Sequence, residues 1–356
     1  MGRCKRERNV TDSKVLLRHR NLRLHWTSPG GWFASRGYEI WFSSDEGASW
    51  ARIGALKTGW VAYCSRCPFL AQAGRLGIHN LLRLSTGTLI CVADGVLYRS
   101  TDQGATFVPT LSEFHGRRPL RSGMCQDHIG RIYLGEYWLN EERNAVRLWR
   151  SDDDGLTWHP VHTWPSRAVN HIHFVQFDPY EQLIWVGTGD SDSECHIAWS
   201  RDGGVSFEAI GGDSQVWRAV SVLFTPEAIL WGTDIGIGND DQSNYLVRWE
   251  RSTRVAQRLM RLDGPTFYSA QTATGTLALG TIIEGGKNED GRVHVYWTKD
   301  QHVWNNIRLW RRWPLPGVFG PSTITFPLSD APLSRLLFNP SLVMSRFDGS
   351  LFEVIS

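Results

Sequence analysis

Short apolar runs separated by polar turns fill the chain, and no stretch carries the 3.6-residue period of an amphipathic helix. Leu81-Leu82-Arg83-Leu84 and Thr88-Leu89-Ile90-Cys91-Val92 are typical, bounded by Ser-Thr-Gly or Asp-Gly turns. Runs of this length, rich in branched side chains, predict strands, and their close spacing predicts antiparallel hairpins.

One octapeptide punctuates the strands. It occurs at Ser43–Trp50, Ser100–Phe107, Ser151–Trp158 and Ser200–Phe207, with the common form S-x-D-x-G-x-[ST]-[WF]. Asp and Ser side chains accept bonds from backbone N–H groups in a tight turn. The glycine takes a positive φ at little steric cost. Each octapeptide is therefore expected to be a structural hairpin, and its aspartate is not a catalytic candidate. The aspartates stand at positions 45, 102, 153 and 202. Continuing that spacing predicts hairpins near 250, 300 and 348, where Tyr245–Ser252, Val295–Gln301 and Met344–Ser350 are weaker remnants. Four strands per repeat is the blade of a β-propeller, whose closed ring protects its sheet edges. The prediction is an all-β fold: one seven-bladed β-propeller over residues 15–356, preceded by a basic tail over 1–14.

The composition is that of a globular chain, 41% hydrophobic and 21% charged, with 18 Trp. A formal net charge of +2 gives no concentrated basic face, so nucleic acid is not an expected partner. No apolar run reaches the length of a membrane span. The basic start Met1-Gly2-Arg3-Cys4-Lys5-Arg6 lacks the apolar core of a secretory signal. A cytoplasmic location is the expectation. The six cysteines are scattered, and Cys64-Ser-Arg-Cys67 is a lone CxxC that is expected to stay reduced.

Superposing the repeats places candidate chemistry at one end of the ring. The starts of inner strands carry His79, Arg121, His171 with His173, Arg218 and Tyr268. The ends of second strands carry Asp94, Glu136 with Tyr137, Asp190 with Asp192, Asp234 and Glu284. Both positions lie opposite the octapeptide hairpins, so these groups should share one mouth. His171 and His173 project from one strand face. With a carboxylate such as Asp190 they also have a fair spacing for a divalent metal, although no cofactor is the main expectation. Gly189 is expected to let the backbone turn beside Asp190. Trp217 is placed to stack on a sugar ring beside Arg218, or to pack between blades.

The four octapeptides and the repeat length resemble the Asp-box (BNR) repeat family, whose best-known members are the sialidases. The resemblance spans nearly the whole chain, but the early Arg-Ile-Pro motif of sialidases is absent. It implies a carbohydrate-active enzyme that cleaves glycosidic bonds of an acidic glycan. Arg121 and Arg218 would grip a carboxylate, Tyr268 supported by Glu284 would be the nucleophile, and Asp94, Glu136 or Asp190 would be the general acid. His79, Trp217, Asp234 and Glu284 would contact substrate. A second reading is a lyase, with His171 or His173 removing the C5 proton of a uronate and Tyr268 protonating the leaving oxygen. A third is a non-catalytic propeller that binds a glycan or a protein.

Overall fold

Four serine–aspartate turns set the frame of the molecule. In the computed structural model, Ser151 Oγ donates to Asp153 Oδ1 at 2.9 Å and accepts the Gly155 N–H at 2.9 Å. The Thr157 N–H then closes on Asp153 Oδ1 at 2.9 Å. The same bonds recur at Asp45, Asp102 and Asp202. The described residues are 14–67, 70–71, 74–236, 243–286, 289–313, 320–329 and 332–355.

Each turn joins the third and fourth strands of an antiparallel blade, and seven blades follow one another around the ring, the sixth and seventh hydrogen-bonded into one eight-stranded sheet. Blade 1 is Arg23–Ser28, Gly31–Arg36, Glu39–Ser43 and Ala51–Ala55. Blade 2 runs from Asn80–Arg83 to Val108–Leu111, and blade 3 from Met124–Gln126 to His159–Trp164. Blade 4 begins with His171–Asp178 and Leu183–Gly189 and ends with Glu208–Gly212. Blade 5 runs from Leu223–Phe224 to Val255–Leu262, and blade 6 from Thr266–Gln271 to Asn305–Arg311. The seven-bladed β-propeller expected from the repeat is thus the observed architecture.

Each octapeptide also clasps the preceding blade. Asp154 of the third copy accepts bonds from Thr86 and Arg99 of blade 2. Gly104 of the second sits against Ile40 and Ile53 of blade 1. Between blades lie dry layers: Trp185 is fully buried and packs edge-on to Trp249 of blade 5 at 6.0 Å.

Blade 7 differs from the expectation. Ser322–Thr325, Leu337–Ser341 and Leu351–Ile355 form its first three strands, and the outer strand is the N-terminal segment Lys14–His19. Leu16 pairs with Glu353 and Leu17 with Phe352. No chain-continuous third-to-fourth hairpin exists here. The expected seventh remnant, Met344–Ser350, instead joins the second and third strands at the mouth end, so its repeat phase was misread. The expected tail over 1–14 lies outside the described residues, apart from Lys14, whose backbone already belongs to this strand. Cys64 and Cys67 are free thiols.

Asp153→Ala leaves turn donors without an acceptor and is expected to lower unfolding stability by about 1 kcal/mol. Urea denaturation measures the loss. Ligand binding at the opposite end of the ring should not change.

Candidate functional site

The mouth is built as the repeat phase predicts. His171 opens the inner strand of blade 4, and Asp190 follows the second strand of that blade. Arg218 precedes the inner strand of blade 5, Asp234 follows its second strand, and Glu284 follows the second strand of blade 6. These residues converge. His171 Nε2 and His173 Nε2 are 3.0 Å apart, and Asp190 Oδ1 lies 3.5 Å and 3.2 Å from them. Arg218 reaches Asp190 Oδ1 at 3.0 Å and Asp234 Oδ2 at 3.3 Å. A Cβ on Gly236 would strike Glu284 Oε2 and approach Arg218 Nη2, so Glu284 belongs to the same cluster.

The surroundings fix these groups. His171 Nδ1 donates to the Trp138 carbonyl at 2.9 Å, and His173 Nδ1 to the Ala219 carbonyl at 3.2 Å. Asn170 Nδ2 donates to Asp190 Oδ2 at 2.6 Å. A Cβ on Gly189 would meet the His173 ring at 2.4 Å, so glycine there makes room for the imidazole rather than for a tight turn. The Tyr137 ring covers His171 at 4.3 Å. Burial pushes His173 down to about 4, against the opposing pull of Asp190. Burial also drives the Asp234 carboxyl well above the usual range, against the attraction of Arg218. For Asp190 burial acts the same way, but its contacts with the His171 and His173 rings outweigh it and hold the carboxyl far below that range. The Asp190 side chain is 33% exposed, whereas those of both histidines and Asp234 are almost sealed. Asp190 is the face this cluster shows to the mouth.

Other predicted residues lie apart from the cluster. Glu136 is fully buried and accepts the His115 and Arg147 N–H groups and Trp149 Nε1, so its carboxylate is spent on holding blade 3 together. This corrects its assignment as a catalytic acid. The Arg121 guanidinium is also spent, donating to the Phe326 and Leu24 carbonyls and to His25 Nδ1; it grips the channel wall and not a ligand carboxylate. Tyr268 is buried with its hydroxyl at the Arg121 backbone, and burial pushes its pKa up. Trp217 packs on Trp231 at 5.5 Å and on Gly211, between blades as the blander expectation had it. Asp94 pairs with Lys57 and accepts the Tyr38 hydroxyl. Asp192 accepts from Gln215 beside the cluster.

His79 faces a second, open cleft across the mouth, between blades 7, 1 and 2. Arg23, Arg36, Arg66, Arg118 and Asp348 also line it. Arg66 pairs with Glu39. Among the described residues Arg23 makes no side-chain hydrogen bond or ion pair, and Arg118 makes only a 3.4 Å bond to the Leu76 carbonyl. Both His79 ring nitrogens are buried without a hydrogen-bond partner. Burial, then neighbouring arginines, lowers the Arg118 pKa to about 10. Asp348 is raised to about 6, chiefly by burial. Sequence reasoning missed Arg23 and Arg118. Arg23 is the first residue of the inner strand of blade 1, the repeat position that His79 occupies near blade 2. Extending the superposition one repeat towards the N-terminus would have found it.

These buried imidazoles give a pH prediction. Burial, then Arg121, holds His25 well below its ordinary value; burial, then Arg118, does so for His79. The unfolded chain binds protons near pH 6.5 and the folded chain does not, so stability should fall as pH drops below ~6.5, by up to about 1.4 kcal/mol per pH unit for each histidine. Unfolding curves between pH 7.5 and 5 measure the slope, and His79→Gln should flatten it.

No protein-family model matches the chain. The xyloglucanase Xgh74A of Acetivibrio thermocellus is 29% identical over 147 residues, covering 34% of this chain and 17% of that protein. The crystal structure of the GH74 xyloglucanase from Xanthomonas campestris matches with a TM-score of 0.57 at 16% identity, over 83% of this chain and 47% of that one. YCF48 bound to D1 peptide matches with a TM-score of 0.56 at 11% identity, over 98% of this chain and 96% of that one. The chain thus spans less than half of the xyloglucanases it matches. At these identities the likeness establishes a β-propeller and nothing finer.

Proposed function

We propose that the protein is a carbohydrate-active enzyme that cleaves an anionic polysaccharide across its mouth. One observation carries this reading: the mouth opposes two kinds of chemistry. On blades 7, 1 and 2 a cleft holds Arg23 and Arg118, which make no ion pair among the described residues although Asp348 lines the same cleft. On blades 4 to 6 stands a cluster of two histidines and three carboxylates around Arg218. Buried charge left without a partner costs stability, so an anionic ligand is the natural counterpart of the first. In the second, burial pushes the Asp234 carboxyl up while contacts with the imidazoles hold that of Asp190 down, two carboxyls driven apart by their surroundings as in paired acid–base sites. The partial likeness to xyloglucanases supports a glycan as the ligand. The acidic character rests on Arg23 and Arg118.

In this reading the glycan's carboxylate or sulfate seats against Arg23 and Arg118. The chain then crosses the channel to Asp190 and Tyr137. Digestion of a panel of acidic and neutral glycans tests it. New reducing ends without ultraviolet absorbance mean hydrolysis, and absorbance of an unsaturated uronate means elimination. Cleavage of neutral xyloglucan alone would remove the acidic part of the proposal. The full-length match to a propeller bound to a peptide favours a second reading, capture of a protein segment; a panel with no cleavage at all would favour it.

Arg23→Met separates function from stability. Removing a part-buried, unpaired guanidinium is expected to raise unfolding stability by about 1 kcal/mol. It should also weaken an anionic ligand by about 1–3 kcal/mol. Calorimetric titration and thermal melts on one preparation read both. A variant that loses stability and keeps affinity would place Arg23 in the structural frame.

A further inference from the structure

We infer that His171, His173 and Asp190 form a binding site for a divalent transition-metal ion, zinc first among them. Carbonyl oxygens only accept hydrogen bonds. The Trp138 and Ala219 carbonyls therefore fix a proton on Nδ1 of each histidine. Each neutral ring then turns an Nε2 lone pair inward. Asp190 Oδ1 is a third acceptor, and Asn170 holds the other carboxylate oxygen aside. Among the three groups themselves no donor remains, since Arg218 reaches Asp190 from outside the triad at 3.0 Å, and three acceptors so placed repel one another unless a cation lies between them.

The spacing fits a metal. Zinc bonds to imidazole nitrogen and carboxylate oxygen are about 2.0–2.1 Å. Two such ligands are about 2.9 Å apart at a right angle and about 3.3 Å apart at a tetrahedral angle. The three observed separations are 3.0, 3.2 and 3.5 Å. The supports also match those of metal sites, where a ligating histidine donates its other N–H to a backbone carbonyl. Two imidazoles and one carboxylate suit zinc, manganese or iron and leave further positions open. Those positions face the mouth, since Asp190 is the exposed member of the set. Water or a ligand oxygen would fill them. Arg218 at 3.0 Å from Asp190 is the adverse charge. Asp234 and Glu284 beside it offset that charge. None of this depends on the glycan reading.

The test uses the full chain, stripped with a chelator and titrated with Zn²⁺ by calorimetry and with Co²⁺ by visible absorption. One ion per chain should bind, with Co²⁺ bands of an imidazole–carboxylate site. His171→Ala and Asp190→Asn should each weaken binding by about 100-fold or more, with circular dichroism unchanged. Asp190→Asn keeps the side-chain shape, so it remains informative if the histidine variant misfolds. No binding by the folded wild-type chain would overturn the proposal and leave a shared proton between the rings. Binding that survives both substitutions would overturn it equally. Because no glycan is present, failure here leaves the cleavage proposal standing, and an inactive enzyme that binds zinc leaves this one standing.

Discussion

Asp190→Asn is expected to lower turnover on an anionic glycan by about 10²–10⁴-fold, the usual worth of a positioned acid–base group. Asp190 is the most exposed of the three groups that meet between blades, and both imidazoles and Arg218 point at it. Asparagine keeps the volume and the backbone but removes the negative charge that those contacts are arranged around. The melting temperature should move by only a few degrees, because the side chain is 33% exposed and its backbone carbonyl keeps the Gln215 bond. Initial rates and thermal melts on the same preparation give the answer. Full turnover with an unchanged melt would exclude this side of the mouth as the place where bonds break.

Trp185→Ala should cost about 3–5 kcal/mol of unfolding stability, the range for removing a large buried aromatic. Trp185 has no exposed surface and lies between Phe224 at 6.1 Å and Trp249 at 6.0 Å. Those partners belong to blade 5, so the cavity would open at the seam of two blades and could not collapse within one sheet. Equilibrium denaturation measures it, and Trp185→Phe should cost far less. A loss under 1 kcal/mol for the alanine variant would mean that blades 4 and 5 are held by their clasps rather than by this layer.

The sequence disclosed the ring because its hairpins repeat. Asp45, Asp102, Asp153 and Asp202 make bonds confined to their own eight residues, so the local spacing carries the whole signal. The phase of the repeat also placed His171, Asp190, Arg218 and Asp234 at one mouth. It failed where a side chain's fate depends on distant chain. Nothing near Glu136 announces that His115 and Trp149 will consume its oxygens. Arg121 meets carbonyls of residues 24 and 326, supplied by the far side of the ring. Blade 7 was misread for the same reason: its fourth strand comes from the other end of the described chain.

That last pairing imposes an order on synthesis. Leu16 leaves the ribosome more than 300 residues ahead of Glu353, its partner. At about 5–20 residues per second the N-terminal strand waits roughly 20–70 s with its backbone unpaired. Blades 1 to 6 can form from sequential hairpins during that time, but the ring stays open. Its final seal is a long-range contact, of the kind that folds slowly and exposes an edge to other chains. Yield of folded protein should therefore depend on translation speed and on chaperones that shield one short strand.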